Sequence, residues 1–218
     1  MNGLQKAVAR MIYERGSFKF GEFKLKLHEK NPEAPLSPFY LNLRTKNNPG
    51  MKGPLTNDDC DLIAMALVAR IINKGVSYDA IAGIPYACDP FIEAIERVYP
   101  VGFRIVKLSK EVTKDKRRIV PKPGFEYKKN ENVLVIDDLV TGGDSKIEAI
   151  EAVMSEGSVV KTLIVLVDRQ QGGRKQLEEA GYNVITCFTI RELLDFYREE
   201  EIIGEEKYMA CLAYLKNN

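Results

Sequence analysis

Five short apolar segments alternate with stretches of helical periodicity along most of this 218-residue sequence. Residues 89–98, 145–155 and 174–180 lie between these segments and place apolar side chains three or four positions apart, as helices do. Strands that are apolar on both faces and separated by helices are typical of a parallel sheet covered on both sides. The pattern therefore predicts an α/β fold with a mostly parallel central sheet flanked by helices. The predicted strands are 80–84, 103–106, 133–136, 163–167 and 184–188.

Two more helices are predicted ahead of these segments, at residues 4–13 and 57–72. Thr56 or Asn57 can cap the second helix, and acidic side chains follow in its first turn, where the helix dipole favours negative charge. The residues are 45% hydrophobic, which is enough for a chain of this length to bury one core. We therefore expect a single domain spanning residues 1–218.

The charges of the chain are nearly balanced, with 32 Lys and Arg against 31 Asp and Glu, which gives a formal charge of +1. A near-neutral protein has no global field that would recruit nucleic acid or an anionic membrane. The apolar runs are also shorter than the roughly 20 residues that a helix needs to span a bilayer. We expect neither a nucleic-acid partner nor a membrane association, so any anion must be bound by a local site.

The four cysteines, Cys60, Cys88, Cys187 and Cys211, are far apart and form no CxxC pair. No apolar leader precedes them in this sequence. Such spacing favours reduced thiols over a disulfide framework or a zinc site. The expected location is the cytoplasm.

Residues 109–130 interrupt the alternation of strands and helices with a basic segment that contains two prolines. This segment is long for a connection within a compact domain, which indicates a mobile lid or a β-excursion. Its composition alone would also fit a solvated surface hairpin. Its position directly before the strand at 133–136 favours the lid.

That strand runs directly into the paired carboxylates of Asp137 and Asp138. Ligands of open parallel sheets bind at the carboxyl ends of the strands. Two carboxylates placed there can accept hydrogen bonds from the cis hydroxyls of a ribose, or can hold a magnesium ion that bridges sugar and diphosphate. A polar strand end with a helix cap is the simpler alternative, but it does not account for the loop that follows.

The loop at residues 141–145 is a Thr-Gly-Gly turn that leads into a helix. The amino-terminal end of a helix presents unpaired backbone N–H groups and the positive end of its dipole to anions. Gly142 and Gly143 allow the backbone to wrap around an anion, while Thr141 and Ser145 add hydroxyl donors. We therefore expect this loop to bind the phosphate of a phosphorylated ribose.

The string VIDDLVTGGDS at 135–145 resembles the phosphoribosyl pyrophosphate motif of type I phosphoribosyltransferases. Four other segments, in chain order, resemble the orotate phosphoribosyltransferases within that family. They are FGEFKLK at 20–26 and SPFYLNLR at 37–44 in the substrate hood, GIPYACDP at 83–90 in the pyrophosphate loop, and DRQQGG at 168–173. The resemblance implies the type I phosphoribosyltransferase fold with a small amino-terminal hood, about residues 1–50, and a mobile basic lid, about residues 109–130.

The resemblance also implies a role for individual positions. Lys110 and Lys114 would be the catalytic cations of the lid. The donor, phosphoribosyl pyrophosphate, would bind to Gly83, Tyr86, Ala87, Asp137, Asp138, Thr141, Gly142, Gly143, Asp144 and Ser145. Orotate would bind to Lys26, Tyr40, Thr141 and Arg169, where the planar fork of an arginine suits a carboxylate. Magnesium, the expected cofactor, would be held through the donor and, as a further option, by Asp137 and Asp138.

The activity implied is transfer of the phosphoribosyl group to orotate, with release of pyrophosphate, in the synthesis of pyrimidine nucleotides. Members of the family form two-fold dimers in which the lid of one subunit covers the donor site of the other, so we expect a homodimer with shared active sites. Two alternatives remain open. One is transfer to another base, and the other is a non-catalytic regulator that senses the donor.

Several positions depart from the family pattern. Ser109 replaces the usual arginine at the start of the lid, and Lys114 matches the lid lysine only if one residue is inserted. Ala87 stands where some members carry a lysine, and Asp144 adds a carboxylate to a phosphate loop. His28, the only histidine, replaces part of a Ser-Gly turn, and we expect it to be solvated and without a role. Other cations that could compensate in the lid are Lys116, Arg117 and Arg118.

Overall fold

The structure is a computed structural model that describes residues 1–25, 28, 31–112 and 117–217. It contains seven helices and nine strands within those ranges. In chain order they are α1 (Gly3–Glu14), β1 (Phe18–Phe23), β2 (Ser37–Leu41), α2 (Asn57–Asn73), β3 (Ala80–Gly83), α3 (Asp89–Val98), β4 (Arg104–Val106), β5 (Leu108–Val112), β6 (Arg117–Pro121), β7 (Val133–Val140), α4 (Asp144–Ser155), β8 (Thr162–Asp168), α5 (Gly173–Glu179), β9 (Asn183–Thr189), α6 (Ile190–Glu199) and α7 (Glu205–Asn217).

Five strands form the central sheet, in the order β4-β3-β7-β8-β9, and every neighbouring pair is parallel. The sheet has β7 at its centre, where Gly83 of β3 pairs with Ile136 and Val165 of β8 pairs with Asp137. The predicted α/β fold with a parallel sheet is confirmed. All five apolar segments of the sequence contribute strands to it.

Helices cover both faces of the sheet because its strands are apolar on both faces. Leu134 and Ile136 of β7 point into a core that is shared with α1, α2, α3, α6 and α7. Val133 and Val135 point to the other side, into a core shared with α4 and α5. This alternation is the two-residue period of a strand that is buried on both faces.

The helix α2 begins at Asn57 and is capped by Thr56, one of the two caps that were predicted. The Thr56 hydroxyl accepts a hydrogen bond from the Asp59 backbone N–H, at 3.3 Å, and the Asp59 carboxylate accepts one from the Thr56 N–H, at 2.8 Å. This reciprocal pair is a capping box, which satisfies two backbone donors that the first turn of a helix leaves unpaired.

Strands β1 and β2 pair antiparallel and form the hood. Their inward-facing aromatic rings anchor it to the carboxyl-terminal helices. Phe18 packs edge-on against Tyr197 of α6, at 5.3 Å between ring centroids, and Phe39 against Tyr214 of α7, at 5.9 Å. The hood therefore shares its hydrophobic core with the face of the sheet that α6 and α7 cover.

The basic segment folds into an antiparallel hairpin of β5 and β6, in which Lys110 pairs with Ile119. Leu108 and Ile119 are buried in the same core as α4, so the base of the hairpin is attached to the main body of the chain. This agrees with the predicted β-excursion. The lid residues Lys114 and Lys116 lie outside the described residues.

His28 differs from its expected solvated position, since only 8% of its surface is exposed. Its Nε2 donates a hydrogen bond to the carbonyl of Ala34, at 3.0 Å, and its Nδ1 accepts one from the N–H of Leu25, at 2.9 Å. The imidazole links the backbone at Leu25 to the backbone at Ala34. Its two ring nitrogens are the hydrogen-bond partners of this N–H and this carbonyl, in place of other backbone groups. The side chain has a structural role that its place in a polar turn did not indicate.

All four cysteines are buried and free of disulfides, as the sequence predicted. Among the helices in the described parts of the chain, none is both long and apolar enough to cross a membrane.

Candidate active site at the carboxyl edge of the sheet

Three loops meet at one edge of the sheet because β3, β7 and β8 are parallel neighbours that end there. Backbone hydrogen bonds join the ends of these strands. The N–H of Ile84 donates to the carbonyl of Ile136, at 3.0 Å, and the N–H of Arg169 donates to that of Val140, at 2.9 Å. The segments that sequence analysis singled out thus become adjacent, although more than eighty residues separate the first from the last.

The two carboxylates lie in the second half of β7, where the sequence predicted the strand to have ended, and they are buried, with 2% of Asp137 and 8% of Asp138 exposed. The Nζ of Lys146 lies 2.7 Å from Oδ2 of Asp137, and the Sγ of Cys88 lies 3.5 Å from Oδ1 of the same residue. Burial and the adjacent Asp137 carboxylate raise the pKa of Asp138 to about 7. Burial alone would lower the pKa of Lys146, but the attraction of Asp137 raises it above its usual value.

Sequence reasoning missed Lys146, which lies in the first turn of α4. A cation is unfavourable there because the amino-terminal end of a helix carries the positive end of the dipole. A lysine in the first turn of a helix therefore indicates that an anionic partner lies nearby and offsets this cost. That partner is Asp137, and the two buried charges neutralise each other.

Ligand atoms of Cys88, Asp137 and Asp138 lie within 4.8 Å of one another, a spacing that could surround a metal ion. Magnesium prefers oxygen ligands, so the carboxylates suit it and the soft cysteine sulfur does not. Asp137 is already paired with Lys146, which leaves Asp138 as the carboxylate with charge to neutralise. The two carboxylates would suit a magnesium ion, with Asp138 as the main protein ligand.

The phosphate loop between β7 and α4 is held from below by α5. The side-chain oxygen of Gln176 accepts a hydrogen bond from the N–H of Gly143, at 2.8 Å, and its amide group donates to Oδ1 of Asp144, also at 2.8 Å. The Asp144 carboxylate is therefore directed towards α5. This contact accounts for the carboxylate of Asp144 within the predicted phosphate loop, and sequence reasoning did not identify Gln176.

Glycine is required by close packing at Gly173, the first residue of α5. Its N–H donates to the carbonyl of Thr141, at 3.0 Å, and a Cβ at this position would lie 2.6 Å from that same oxygen. At Gly143 a Cβ would come within 2.9 Å of Gln176. In contrast, Gly142 is exposed and faces open space, and Ser145 is also exposed, so both are accessible to a ligand.

The predicted pyrophosphate-binding positions are Gly83, the last residue of β3, and Tyr86 and Ala87 in the loop that follows, which are half-buried. The side-chain amide of Asn48 donates to the carbonyl of Tyr86, at 2.8 Å. The Nζ of Lys110 lies 5.4 Å from the centroid of the Tyr86 ring.

Lys110 of β5 thus lies close to the predicted pyrophosphate loop of its own chain, whereas the resemblance implied that the lid lysines act on a partner subunit. Burial and the nearby Arg117 lower the pKa of Lys110, although Asp137 and Asp138 oppose this effect. Ser109, which replaces the lid arginine, is at the base of the hairpin. Its Oγ is buried and has no hydrogen-bond partner among the residues that the structure describes.

A buried cation marks the expected base site. Arg169 is 5% exposed, and its guanidinium lies 5.2 Å from the centroid of the Phe39 ring. Within the described ranges, no hydrogen-bond partner reaches Nε or Nη2. Burial lowers the pKa of Arg169, while Tyr214 and Tyr40 raise it.

Tyr40 lies on the opposite face of β2 from Phe39, and its ring contacts Phe23 at 5.5 Å. Its hydroxyl donates to Sδ of Met51, at 3.5 Å, and Tyr40 contributes to raising the pKa of Arg169. Lys26, the other predicted orotate ligand, lies outside the described residues. Phe39 was not predicted, although the alternation along β2 places it on the buried face.

Comparison with known proteins identifies the family. The chain is 28% identical to a uridine 5'-monophosphate synthase of Caenorhabditis elegans over 94% of its own length, but it spans only 38% of that protein. It is 27% identical to an orotate phosphoribosyltransferase of the same species, over 94% of this chain and 82% of that one. The solved orotate phosphoribosyltransferase of Francisella tularensis has the same fold, with a TM-score of 0.71 and 21% identity over 95% of this chain and 93% of that one.

The predicted type I phosphoribosyltransferase fold is confirmed by this structural likeness. Residues 58–199 match the model of the family described as the phosphoribosyl transferase domain. This range includes β3, β7 and β8 and the three loops that meet at the edge of the sheet. The chain belongs to the phosphoribosyl transferase domain family.

Proposed function

We propose that this protein is an orotate phosphoribosyltransferase. It transfers the 5-phosphoribosyl group of phosphoribosyl pyrophosphate to orotate, and it releases pyrophosphate and orotidine monophosphate in de novo pyrimidine nucleotide synthesis. The observation that carries the choice of base is the buried guanidinium of Arg169, whose Nε and Nη2 find no acceptor in the described parts of the chain. Buried donors need partners, and the carboxylate of orotate can accept from both nitrogens of the fork.

Each group of residues contributes one part of the chemistry. Asp138 and Asp137 accept from the ribose hydroxyls, and residues 141–145 bind the 5'-phosphate. Displacement of the diphosphate passes through a transition state with positive charge on the ribose, so negative charge grows on the leaving group. Lys110 lies beside the pyrophosphate loop, where it stabilises that charge, and the hairpin that carries it excludes water from the reacting sugar.

Magnesium is the cofactor that we propose, and when bound it neutralises part of the charge on the diphosphate. It would be held through the diphosphate of the donor and by the carboxylate of Asp138, with Asp137, which is paired with Lys146, as a further option. Since the four thiols are free, we also place the protein in the cytoplasm. A homodimer with shared active sites remains part of the proposal, with Lys114 of one subunit acting in the donor site of the other.

The first experiment tests the base. Protein, magnesium and phosphoribosyl pyrophosphate are mixed with orotate or with uracil, which lacks the carboxylate, and release of pyrophosphate is followed. We expect release with orotate and very little with uracil. Equal rates with both bases, or no release with orotate, would contradict the proposal.

The second experiment tests the residue. Arg169→Ala should raise the KM for orotate roughly 10- to 100-fold, because a hydrogen bond to a charged group contributes about 1.5–3 kcal/mol. Binding of the donor, measured by calorimetry, should remain nearly unchanged, and Arg169→Lys should restore little because it lacks the fork. The control is Arg174→Ala, which removes an exposed arginine paired with Glu178 and should leave the KM unaltered.

A further inference from the structure

Asn48 is a buried side chain in the loop between β2 and α2, with 6% of its surface exposed. Its Oδ1 accepts hydrogen bonds from the N–H groups of Gly50, at 2.9 Å, and Met51, at 3.0 Å. Its Nδ2 donates to the carbonyl oxygen of Tyr86, at 2.8 Å. One end of the amide therefore shapes its own loop, and the other end holds the pyrophosphate loop 38 positions along the chain.

The contact fixes more than the position of one oxygen. In a planar trans peptide the carbonyl and the N–H point in opposite directions. With the Tyr86 carbonyl held by Asn48, the N–H of Ala87 is directed away from Asn48. The orientation of this peptide plane thus depends on a side chain that lies outside the loop.

Position 87 can offer a ligand only its backbone donor, because the alanine side chain carries no polar group. Lys110 approaches the ring of the preceding Tyr86, so the same residue is contacted at its ring by the lid hairpin and at its carbonyl by Asn48. Preorganised N–H groups stabilise growing negative charge well because they need no reorientation during the reaction.

We propose that Asn48 is a positioning residue for the pyrophosphate loop: it orients the Tyr86–Ala87 peptide so that the Ala87 N–H faces the leaving pyrophosphate. This inference rests on the proposed function to the extent that the donor is a diphosphate of ribose. It does not depend on which base is the acceptor.

Asn48→Asp tests the contact selectively. The carboxylate can still accept hydrogen bonds from the N–H groups of Gly50 and Met51. It cannot donate to the Tyr86 carbonyl, and its oxygen and that carbonyl oxygen, both acceptors, repel each other. Asn47→Asp is the matched control, since it makes the same change at the preceding position, where the side chain is exposed. Asn48→Ser is an uncharged second variant whose hydroxyl can accept within the loop but is too short to reach Tyr86.

Calorimetry with magnesium pyrophosphate and steady-state kinetics provide the readouts. We expect Asn48→Asp to weaken binding of magnesium pyrophosphate, and to raise the KM for the donor, roughly tenfold or more, as the loss of one buried hydrogen bond implies. Asn48→Ser should act in the same direction, whereas Asn47→Asp should stay within about twofold of the parent protein. The KM for orotate should remain unchanged in all three variants.

Magnesium pyrophosphate binding by Asn48→Asp and Asn48→Ser that equals that of Asn47→Asp would overturn the proposal. If Asn48→Asp fails to fold, as judged by circular dichroism, the uncharged serine variant decides the question. A parent protein that binds magnesium pyrophosphate but does not use orotate would refute the proposed function alone, because the role of Asn48 is judged by pyrophosphate binding.

Discussion

The ammonium group of Lys146 lies 2.7 Å from Oδ2 of Asp137, and 9% or less of either side chain is exposed. Removal of one member of a buried ion pair leaves the other charge unpaired and typically costs about 3–5 kcal/mol. Lys146→Met should therefore lower the free energy of unfolding by about this amount, measured in urea. Lys175→Met, which breaks an exposed pair with Glu179, should change it by less than about 1 kcal/mol.

The double variant Lys146→Met with Asp137→Asn is the internal check on that prediction. It replaces both charges with neutral groups, so it should regain a large part of the stability that Lys146→Met loses. A double variant no more stable than the single one would show that the lysine stabilises the fold by packing rather than by charge.

A pH dependence follows from Asp138, whose pKa is raised to about 7 by burial and by Asp137. An aspartate in an unfolded chain has a pKa of about 3.9, so between these two values the folded protein holds a proton that the unfolded chain has released. This residue therefore makes the protein less stable as the pH rises through that window. Without magnesium or donor, the stability of Asp138→Asn relative to the parent should increase between pH 5 and pH 8. Parallel stability curves would argue against the raised pKa.

The position of Lys110 predicts which lid lysine acts within its own subunit. Lys110→Ala should reduce kcat by about 100-fold, the usual effect of removing one group that stabilises transition-state charge. Lys107→Ala is the control, since this lysine is exposed and three positions earlier. If Lys110 acts within its own subunit, a mixed dimer of Lys110→Ala and Asp138→Asn subunits has one site without the lysine and one site without the aspartate. Activity should therefore not return on mixing.

The corresponding mixture of Lys114→Ala and Asp138→Asn subunits distinguishes the two lid lysines. If Lys114 acts in the donor site of the partner subunit, as we propose, one complete site forms in the mixed dimer and activity should recover. Recovery with Lys110→Ala instead would contradict its placement over Tyr86 of the same chain.

Gln176 and Asp144 provide a test of the support beneath the phosphate loop. Gln176→Glu should weaken donor binding roughly tenfold, because a carboxylate that faces Asp144 loses a hydrogen bond and gains repulsion. Adding Asp144→Asn provides an amide at position 144 that can donate to the carboxylate at position 176, which reverses the direction of the original hydrogen bond. This second change should restore most of the affinity for the donor substrate, measured by calorimetry. Failure of this second change to help would mean that the two side chains are not coupled.

The strands and the donor loop could be predicted because their signals are contiguous in sequence. A buried strand was predicted at 133–136, and the structure extends it through the two carboxylates to Val140, where the polar loop begins. Asn48 and Gln176 could not be predicted in the same way. Each acts on a residue more than 30 positions away, and only the packing of loops around the sheet brings the partners together.

Two further residues show the same physical limit. His28 lies in a polar stretch of the sequence. Its burial depends on the hydrogen bonds of its two ring nitrogens to the backbone at Leu25 and Ala34, which polarity alone does not indicate. Phe39 belongs to the core face of β2, and its contact with Arg169 arises because the hood covers the end of β8. Patterns of polarity along a strand do not specify such contacts between layers.

The segment after β8 is joined to the end of β7 by two backbone hydrogen bonds, from Arg169 to Val140 and from Gly173 to Thr141. In the function that we propose, Arg169 binds the base and Thr141 begins the loop that binds the 5'-phosphate, so these bonds would link the two ends of the product site. The distance between those ends would then depend on the main chain, whereas the choice of base would depend on side chains.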